Sequence, residues 1–294
     1  MAEGNKIGFI GVGVMGRPMA ARLIEKGHAL VVHDTNAAAV AALEALGARS
    51  AKSARAVADE AEILFTSLPS PAVYRQVALG ADGVAQGKAA KVMVDLSTVG
   101  SIAAKEVAAG LLAKGIDLVD APVSGGAAGA QKGTLAVMAA GKAAAVAAAR
   151  PMLEVFGKLF VVGEVPGQAQ LLKLLNNMLS STAVAITSEA YVAGIKGGLD
   201  PEVMMNVFNA GSGRNSATAD KFPKYVLPGS FDFGFPISSV CKDIGLAVDE
   251  CQALGVPTWL GGQARQLWQS AYLQGGAADD MTALVKFMER WSRK

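Results

Sequence analysis

Aromatic residues make up only 6% of this 294-residue chain and charged residues 18%, and it has two cysteines and two histidines. Two cysteines, Cys241 and Cys251, make no disulfide framework. His28 and His33 cannot assemble a Cys/His zinc site with them, so no metal is expected, and neither histidine is placed like a catalytic base. None of the four tyrosines (Tyr74, Tyr191, Tyr225, Tyr272) has a lysine four positions on, which excludes the Tyr-x-x-x-Lys dehydrogenase chemistry. Lys and Arg (27) nearly balance Asp and Glu (25). A net charge of +2 therefore gives no electrostatic reason to expect nucleic acid or a membrane surface as partner. No uninterrupted apolar run reaches the roughly 18–20 residues of a spanning helix. The opening Met1–Lys6 lacks the apolar stretch and cleavage site of a secretory leader. These absences read as a soluble, reduced, cytoplasmic protein. What is abundant is apolar: 52% hydrophobic residues exclude a disordered chain. The 34 glycines show no triplet period, which excludes collagen.

The first half alternates short apolar runs with alanine-rich, helix-like stretches. Lys6–Ile10, Leu30–His33, Ile63–Leu68, Val92–Leu96 and Leu118–Val123 read as buried strands, with Thr134–Ala140 and Leu159–Val162 as further candidates. Met15–Lys26, Ala37–Leu46, Ile102–Lys114 and Ala143–Phe156 read as helices. Continuous apolar strands alternating with helices predict a parallel sheet covered on both faces. Past Gly163 the pattern changes, and no Pro or Gly falls between Gly167 and Gly194. Leucines at helical spacing predict one long helix, about 168–196. Pro201–Ala210, Ile237–Leu254, Thr258–Gln274 and Asp280–Arg290 follow as helices. The expectation is an α/β domain over 1–164 and an all-helical domain over 165–294. The second carries Val203, Met204, Val207, Phe208, Leu267, Trp268, Tyr272 and Leu273, more apolar surface than one small helical domain is expected to cover.

Gly11-Val12-Gly13-Val14-Met15-Gly16 follows the first strand and opens the first helix, the context a dinucleotide loop requires. Gly11 permits the tight turn, Gly13 a close pyrophosphate, and Gly16 close packing of helix on strand. The helix N-terminus would receive the phosphates. Asp34 ends the second strand near the spacing expected for a ribose-binding acid, although it also reads as a turn residue before Thr35-Asn36. No arginine follows it, so NAD is favoured over NADP. Lys173 and Asn177 lie four apart on the long helix, hence on one face. On residue chemistry alone Lys173 reads equally as a partly desolvated amine among leucines or as a lysine snorkelling from an amphipathic helix. Ser124-Gly125-Gly126 sits at the carboxyl end of a strand, where ligands bind in open α/β sheets, and such a turn can hold a carboxylate or be a plain glycine turn.

Together, Gly11–Leu23, Ser67-Leu68-Pro69, Asp95–Thr98, Asp120–Gly126 with Gly133–Leu135, Gly167–Asn177 and Lys242–Ala247 make the chain similar to the β-hydroxyacid dehydrogenase family. That family includes 3-hydroxyisobutyrate dehydrogenases, tartronate semialdehyde reductases and glyoxylate/succinic semialdehyde reductases. The resemblance implies an α/β Rossmann dinucleotide-binding domain, a long connecting helix and an all-α C-terminal domain, 6-phosphogluconate-dehydrogenase-like, that assembles a homodimer or homotetramer. It implies Lys173 as the catalytic lysine with Asn177 beside it at the substrate, and Ser124, Gly125 and Gly126 as the substrate-carboxylate loop. It also implies Leu68, Pro69 and Thr98 along the nicotinamide, and Lys242 approaching cofactor and substrate; without the resemblance Lys242 is an ordinary solvated helix residue beside Asp243. The implied reaction is NAD-dependent hydride transfer at a small carboxylate-bearing 3-hydroxy acid or semialdehyde. A mainly reductive semialdehyde or glyoxylate reductase, and a non-catalytic NAD-binding sensor or scaffold, stand as alternatives.

Overall fold

A computed structural model describes residues 6–292, so the opening Met1–Asn5, part of the stretch read for a leader, lies outside the described residues. The chain forms two compact units, Met1–Lys173 and Leu174–Lys294.

Among the described residues the first unit holds nine strands: β1 (Ile7–Ile10), β2 (Leu30–His33), β3 (Arg49–Ser50), β4 (Ile63–Thr66), β5 (Val92–Asp95), β6 (Asp117–Asp120), β7 (Val123–Ser124), β8 (Leu135–Ala140) and β9 (Gly157–Gly163). They make one sheet in the order β3-β2-β1-β4-β5-β6-β8-β7, with β9 paired to β8. From β3 through β6 every pairing is parallel. The expected single strand Leu118–Val123 is in fact two, because Pro122 interrupts it. Proline has no N–H to donate to a ladder. The chain leaves the parallel sheet after Asp120, the Pro122 carbonyl accepts from Met138 N–H at 3.1 Å, and β7 runs antiparallel to β8. Since β8 is also antiparallel to β6, the sheet is mixed at this end rather than parallel throughout.

Around the sheet lie α1 (Gly16–Glu25), α2 (Ala37–Glu44), α3 (Ala54–Ala58), α4 (Pro71–Leu79), α5 (Ser101–Leu112), α6 (Gly126–Lys132) and α7 (Ala143–Phe156). Successive strand residues point to opposite faces. Thus Phe9, Phe65 and Val94 join one core, where Phe9 stacks on Phe65 at 6.0 Å and Phe156 meets Phe65 edge-on at 5.6 Å. Ile10, Leu64 and Met93 join the core on the other face, with Tyr74 and Val107.

The 29-residue helix α8 (Gln168–Lys196) begins in the first unit and continues into the second. The second unit adds α9 (Pro201–Ala210), a π-helix (Ala217–Val226), α10 (Ile237–Ala253), α11 (Trp259–Leu273) and α12 (Leu284–Trp291). Among the described residues it has no strand, only an isolated bridge between Pro236 and Asp280. Trp268, Phe222 and Phe287 anchor its core, and the Trp268 indole N–H donates to the Ser181 carbonyl at 3.3 Å. Met204 and Trp268, counted in sequence as surplus apolar surface, belong to this core, whereas Val203, Val207 and Leu273 stay exposed. Among the described residues no helix is long and apolar enough to cross a membrane.

Candidate active site

The loop from β1 to α1 has the shape its glycines dictate. Gly11 has φ +86°, and a Cβ there would lie 2.3 Å from the Ser67 carbonyl oxygen. A Cβ on Gly16 would lie 1.9 Å from the Gly11 carbonyl oxygen, so both positions exclude side chains. At Gly13 the opposite holds: nothing lies within 4 Å, which leaves open space against the backbone. Val14 is exposed, Met15 is half-buried, and no side chain caps the α1 N-terminus. A phosphate fits such a turn, with free N–H groups and the positive helix end facing it.

Asp34 closes this loop from β2. Its Oδ2 accepts from Val12 N–H at 2.7 Å and its Oδ1 from Asn36 N–H at 2.7 Å. A carboxylate offers about four lone-pair sites. With two of them engaged, two remain for a vicinal pair of ribose hydroxyls, so the residues fit a nicotinamide dinucleotide.

At the carboxyl ends of β4, β5 and β6 lies a buried polar network. Asp95 Oδ1 accepts from Thr66 Oγ1 at 2.7 Å and from Ser97 Oγ at 2.6 Å, and Ser97 Oγ in turn accepts from Leu68 N–H at 2.8 Å. That bond orders the Ser67-Leu68-Pro69 turn; Leu68 and Thr98 are half-buried and Pro69 is exposed. Gln170, fully buried in the first turn of α8, ties the network together. Its amide donates to the Ser97 carbonyl at 2.9 Å, its Oε1 accepts from Val99 and Gly100 N–H at 3.0 and 3.2 Å, and its backbone N–H donates to Asp120 Oδ2 at 2.9 Å. Lys173 follows one turn later and is only 7% exposed. The Ser124–Gly126 turn leads from β7 into α6, with Ser124 half-buried and both glycines exposed.

Within the first unit the structure thus describes the glycine loop, Asp34, Leu68, Pro69, Thr98, Ser124–Gly126 and Lys173 at or beyond strand carboxyl ends or in the helix starts that follow them. Within the second unit Asn177 Nδ2 donates to Asp243 Oδ2 at 2.6 Å, and Lys242 Nζ lies 3.2 Å from Asp243 Oδ1. Asp243 therefore joins Asn177 to Lys242, a role that sequence reasoning did not assign. It also gave no role of their own to Asp95, Asp120 and Gln170, which lie inside the segments that carry the resemblance. An aspartate ending each of two neighbouring apolar strands was the available signal for the first two; Gln170 left none, because a glutamine on a helix reads as surface.

Burial raises the Asp120 carboxyl from 3.8 to about 6, against the Gln170 and Gly167 amides that stabilise its charge and with Asp95 adding to the rise. The same burial and both carboxylates push the Tyr74 hydroxyl well above its usual value. Because folded Asp120 holds its proton more tightly than the unfolded chain does, ionisation favours unfolding. The stabilising contribution is complete below about pH 4 and is lost as pH rises through about 6. A rise of this size corresponds to about 3 kcal/mol. Asp120→Asn, which keeps an acceptor for Gln170 N–H, is therefore expected to raise the melting temperature at pH 7 and to lose that advantage near pH 4. An equal effect at both pH values would contradict this reading.

Residues 6–163 match the family model for the NAD binding domain of 6-phosphogluconate dehydrogenase. Residues 167–288 match the model described as NAD-binding of NADP-dependent 3-hydroxyisobutyrate dehydrogenase. A 2-(hydroxymethyl)glutarate dehydrogenase of Eubacterium barkeri is 38% identical over 99% of this chain and 97% of its own. A 3-hydroxyisobutyrate dehydrogenase of Pseudomonas aeruginosa is 39% identical over 89% of this chain and 90% of its own. Among solved structures, the 3-hydroxyisobutyrate dehydrogenase of Mycobacterium tuberculosis with L-serine is similar with a TM-score of 0.90 and 31% identity, covering 97% of this chain and 99% of that one.

Proposed function

The chain belongs to the β-hydroxyacid dehydrogenase family of NAD(P)-dependent enzymes acting on CH–OH donors, and on that premise we propose that it interconverts a small 3-hydroxy acid and its semialdehyde with Lys173 as acid–base group. The observation that carries this is a buried lysine one turn beyond Gln170, whose hydrogen bonds fix the helix start at the carboxyl ends of β5 and β6. Ligands bind at that edge in open α/β sheets. In oxidation Lys173 takes the proton of the substrate hydroxyl; in reduction it returns a proton to the forming alkoxide. Asn177, one turn further along α8, orients the reacting oxygen, and Asp243 holds its amide. The Ser124, Gly125 and Gly126 turn binds the substrate carboxylate through its hydroxyl and backbone N–H groups. Gly11–Gly16 and Asp34 bind the dinucleotide, Leu68, Pro69 and Thr98 line its nicotinamide, and Lys242 approaches it. When bound, the cofactor supplies the hydride acceptor for oxidation and the donor for reduction. In this reading 1–164 is the cofactor domain, 165–294 the substrate and oligomerisation domain, and the enzyme works in the cytoplasm.

The test is absorbance of NADH with a panel of 3-hydroxyisobutyrate, 2-(hydroxymethyl)glutarate and the short semialdehydes, run in both directions. Turnover of at least one 3-hydroxy acid is expected. No turnover of any member would leave the non-catalytic NAD-binding reading in its place.

We also propose a homodimer or homotetramer, supported by Leu179, Val203, Val207 and Leu273, between 58% and 73% exposed in the second unit. Exposed apolar side chains of this size mark association, and closed symmetric assemblies are the commonest result. Light scattering at micromolar concentration is expected to give a multiple of 30.0 kDa. A fully active single chain would overturn the proposal.

A further inference from the structure

Two glutamines stand in the first turn of α8, and their surroundings differ. Gln168 is exposed, and its Oε1 accepts from Val165 N–H three residues back at 3.1 Å, a local cap. Gln170 is fully buried and reaches across to the turn after β5. Its Nε2 donates to the Ser97 carbonyl at 2.9 Å and stands 3.5 Å from Asp95 Oδ2, and its Oε1 accepts from Val99 and Gly100 N–H at 3.0 and 3.2 Å. Removing such an amide leaves each of its buried partners unpaired.

The same turn is tied to the residues assigned to the cofactor. Ser97 is shared: its carbonyl takes the Gln170 amide, while its hydroxyl accepts from Leu68 N–H at 2.8 Å and donates to Asp95 Oδ1 at 2.6 Å. Leu68 and Pro69 form the turn read as lining the nicotinamide, and Lys173 follows Gln170 by three residues on α8. A line of bonds through Leu68, Ser97 and Gln170 therefore runs from the nicotinamide turn to the helix of the acid–base group, all within the first unit. The reaction requires such a link. Hydride leaves the carbon and the proton leaves the oxygen of one C–OH group, so the nicotinamide and the amine have to keep a fixed separation. An error of about 1 Å in a placement of this kind costs about 10²-fold in rate.

We propose that Gln170 is a positioning residue of the reaction, setting the separation between the nicotinamide turn and Lys173. With no exposed surface it offers nothing to a ligand, and it acts through Ser97 and the start of α8. Its contribution falls on the chemical step, since Gly11–Gly16 and Asp34, which are read as holding the dinucleotide, lie elsewhere in the unit. This inference rests on the dehydrogenase reading above.

Gln170→Met keeps the side-chain length and the backbone N–H that Asp120 accepts, and removes the amide. Its kcat is expected to fall by about 10²-fold. NADH affinity, read by fluorescence titration, should stay within a few-fold. Gln168→Met removes only the local cap and should leave kcat unchanged. Gln170→Glu is the conservative rescue, because a protonated carboxyl offers the same donor and acceptor as the amide. Beside the Asp95 and Asp120 carboxylates, with the Tyr74 hydroxyl near both and Lys173 one turn on, the introduced carboxyl should hold its proton above the usual carboxylate range. Its kcat relative to the unaltered enzyme is expected to be near one at about pH 6 and to fall toward about pH 9, where a carboxylate cannot donate to the Ser97 carbonyl. A Gln170→Met enzyme with kcat within about threefold of the unaltered one would overturn the positioning role. So would equal losses in Gln168→Met and Gln170→Met, which would mark a general loosening of the helix start. Melting curves identify a variant that fails to fold. Should Gln170→Met be one, full relative kcat of Gln170→Glu at about pH 9 would overturn the role. No turnover by the unaltered enzyme would overturn the dehydrogenase reading, and this role with it.

Discussion

Replacing Lys173 with alanine is expected to lower kcat by about 10²–10⁴-fold, the range for loss of a positioned acid–base group. The structural argument is one of separation. The backbone at the start of α8 is fixed by Gln170, whose five hydrogen bonds to Asp95, Ser97, Val99, Gly100 and Asp120 do not involve the lysine side chain. The groups proposed for the dinucleotide, Gly11–Gly16 and Asp34, lie in the loop between β1 and α1, at the first residue of α1, and directly after β2. NADH affinity, read by fluorescence titration, should therefore stay within a few-fold while the chemical step fails. A variant with near-normal kcat would remove Lys173 from the chemistry.

The second large effect concerns the cofactor. The unaltered enzyme is expected to prefer NADH to NADPH, because a 2′-phosphate would meet the Asp34 carboxylate. Asp34→Ser with Thr35→Arg should shift the ratio of kcat/KM for the two cofactors by about 10²–10³-fold toward NADPH, from removal of that repulsion and gain of a charged hydrogen-bond donor. Thr35 is exposed, so the arginine has room. The change has a cost that the geometry also specifies. Asp34 anchors Val12 and Asn36 through separate oxygens, and a serine has one oxygen for both. Absolute kcat/KM should fall with either cofactor, and the melting temperature should drop. A higher kcat/KM with NADPH in the unaltered enzyme would overturn the role given to Asp34.

Much of this was legible before any coordinates. Buried parallel strands write themselves as unbroken apolar runs, and Ile7–Ile10, Leu30–His33 and Val92–Asp95 are four-residue examples. The glycine loop was legible because its spacing has one steric purpose, which Gly11 and Gly16 fulfil. Elements of two to nine residues such as β3, α3 and α4 are too short to show a period. The β6–β7 break was hidden because Pro122 lies in an otherwise apolar run. The π-helix fits neither the 3.6 nor the 2.0 period by which helices and strands are read. Lys173 was ambiguous in sequence because leucine neighbours suit a buried amine and a snorkelling one equally; burial by the fold, at 7% exposure, decides between them.

Gln170 also determines where the protein can be cut. Composition places a boundary near 164, and a fragment ending there keeps all nine strands, the last of which closes at Gly163. Such a fragment would look complete by every apolar criterion. It would nevertheless leave Asp95, the Ser97 carbonyl and the Val99 and Gly100 amides without the side chain that spans 70 to 75 residues of sequence to reach them, and Asp120 without the Gln170 backbone N–H. Those groups would be solvated by water where the helix start now sits, and the turns after β4 and β5 would lose their common support. An excised cofactor-binding half must therefore run through Gln170, into a helix that composition assigns to the other half.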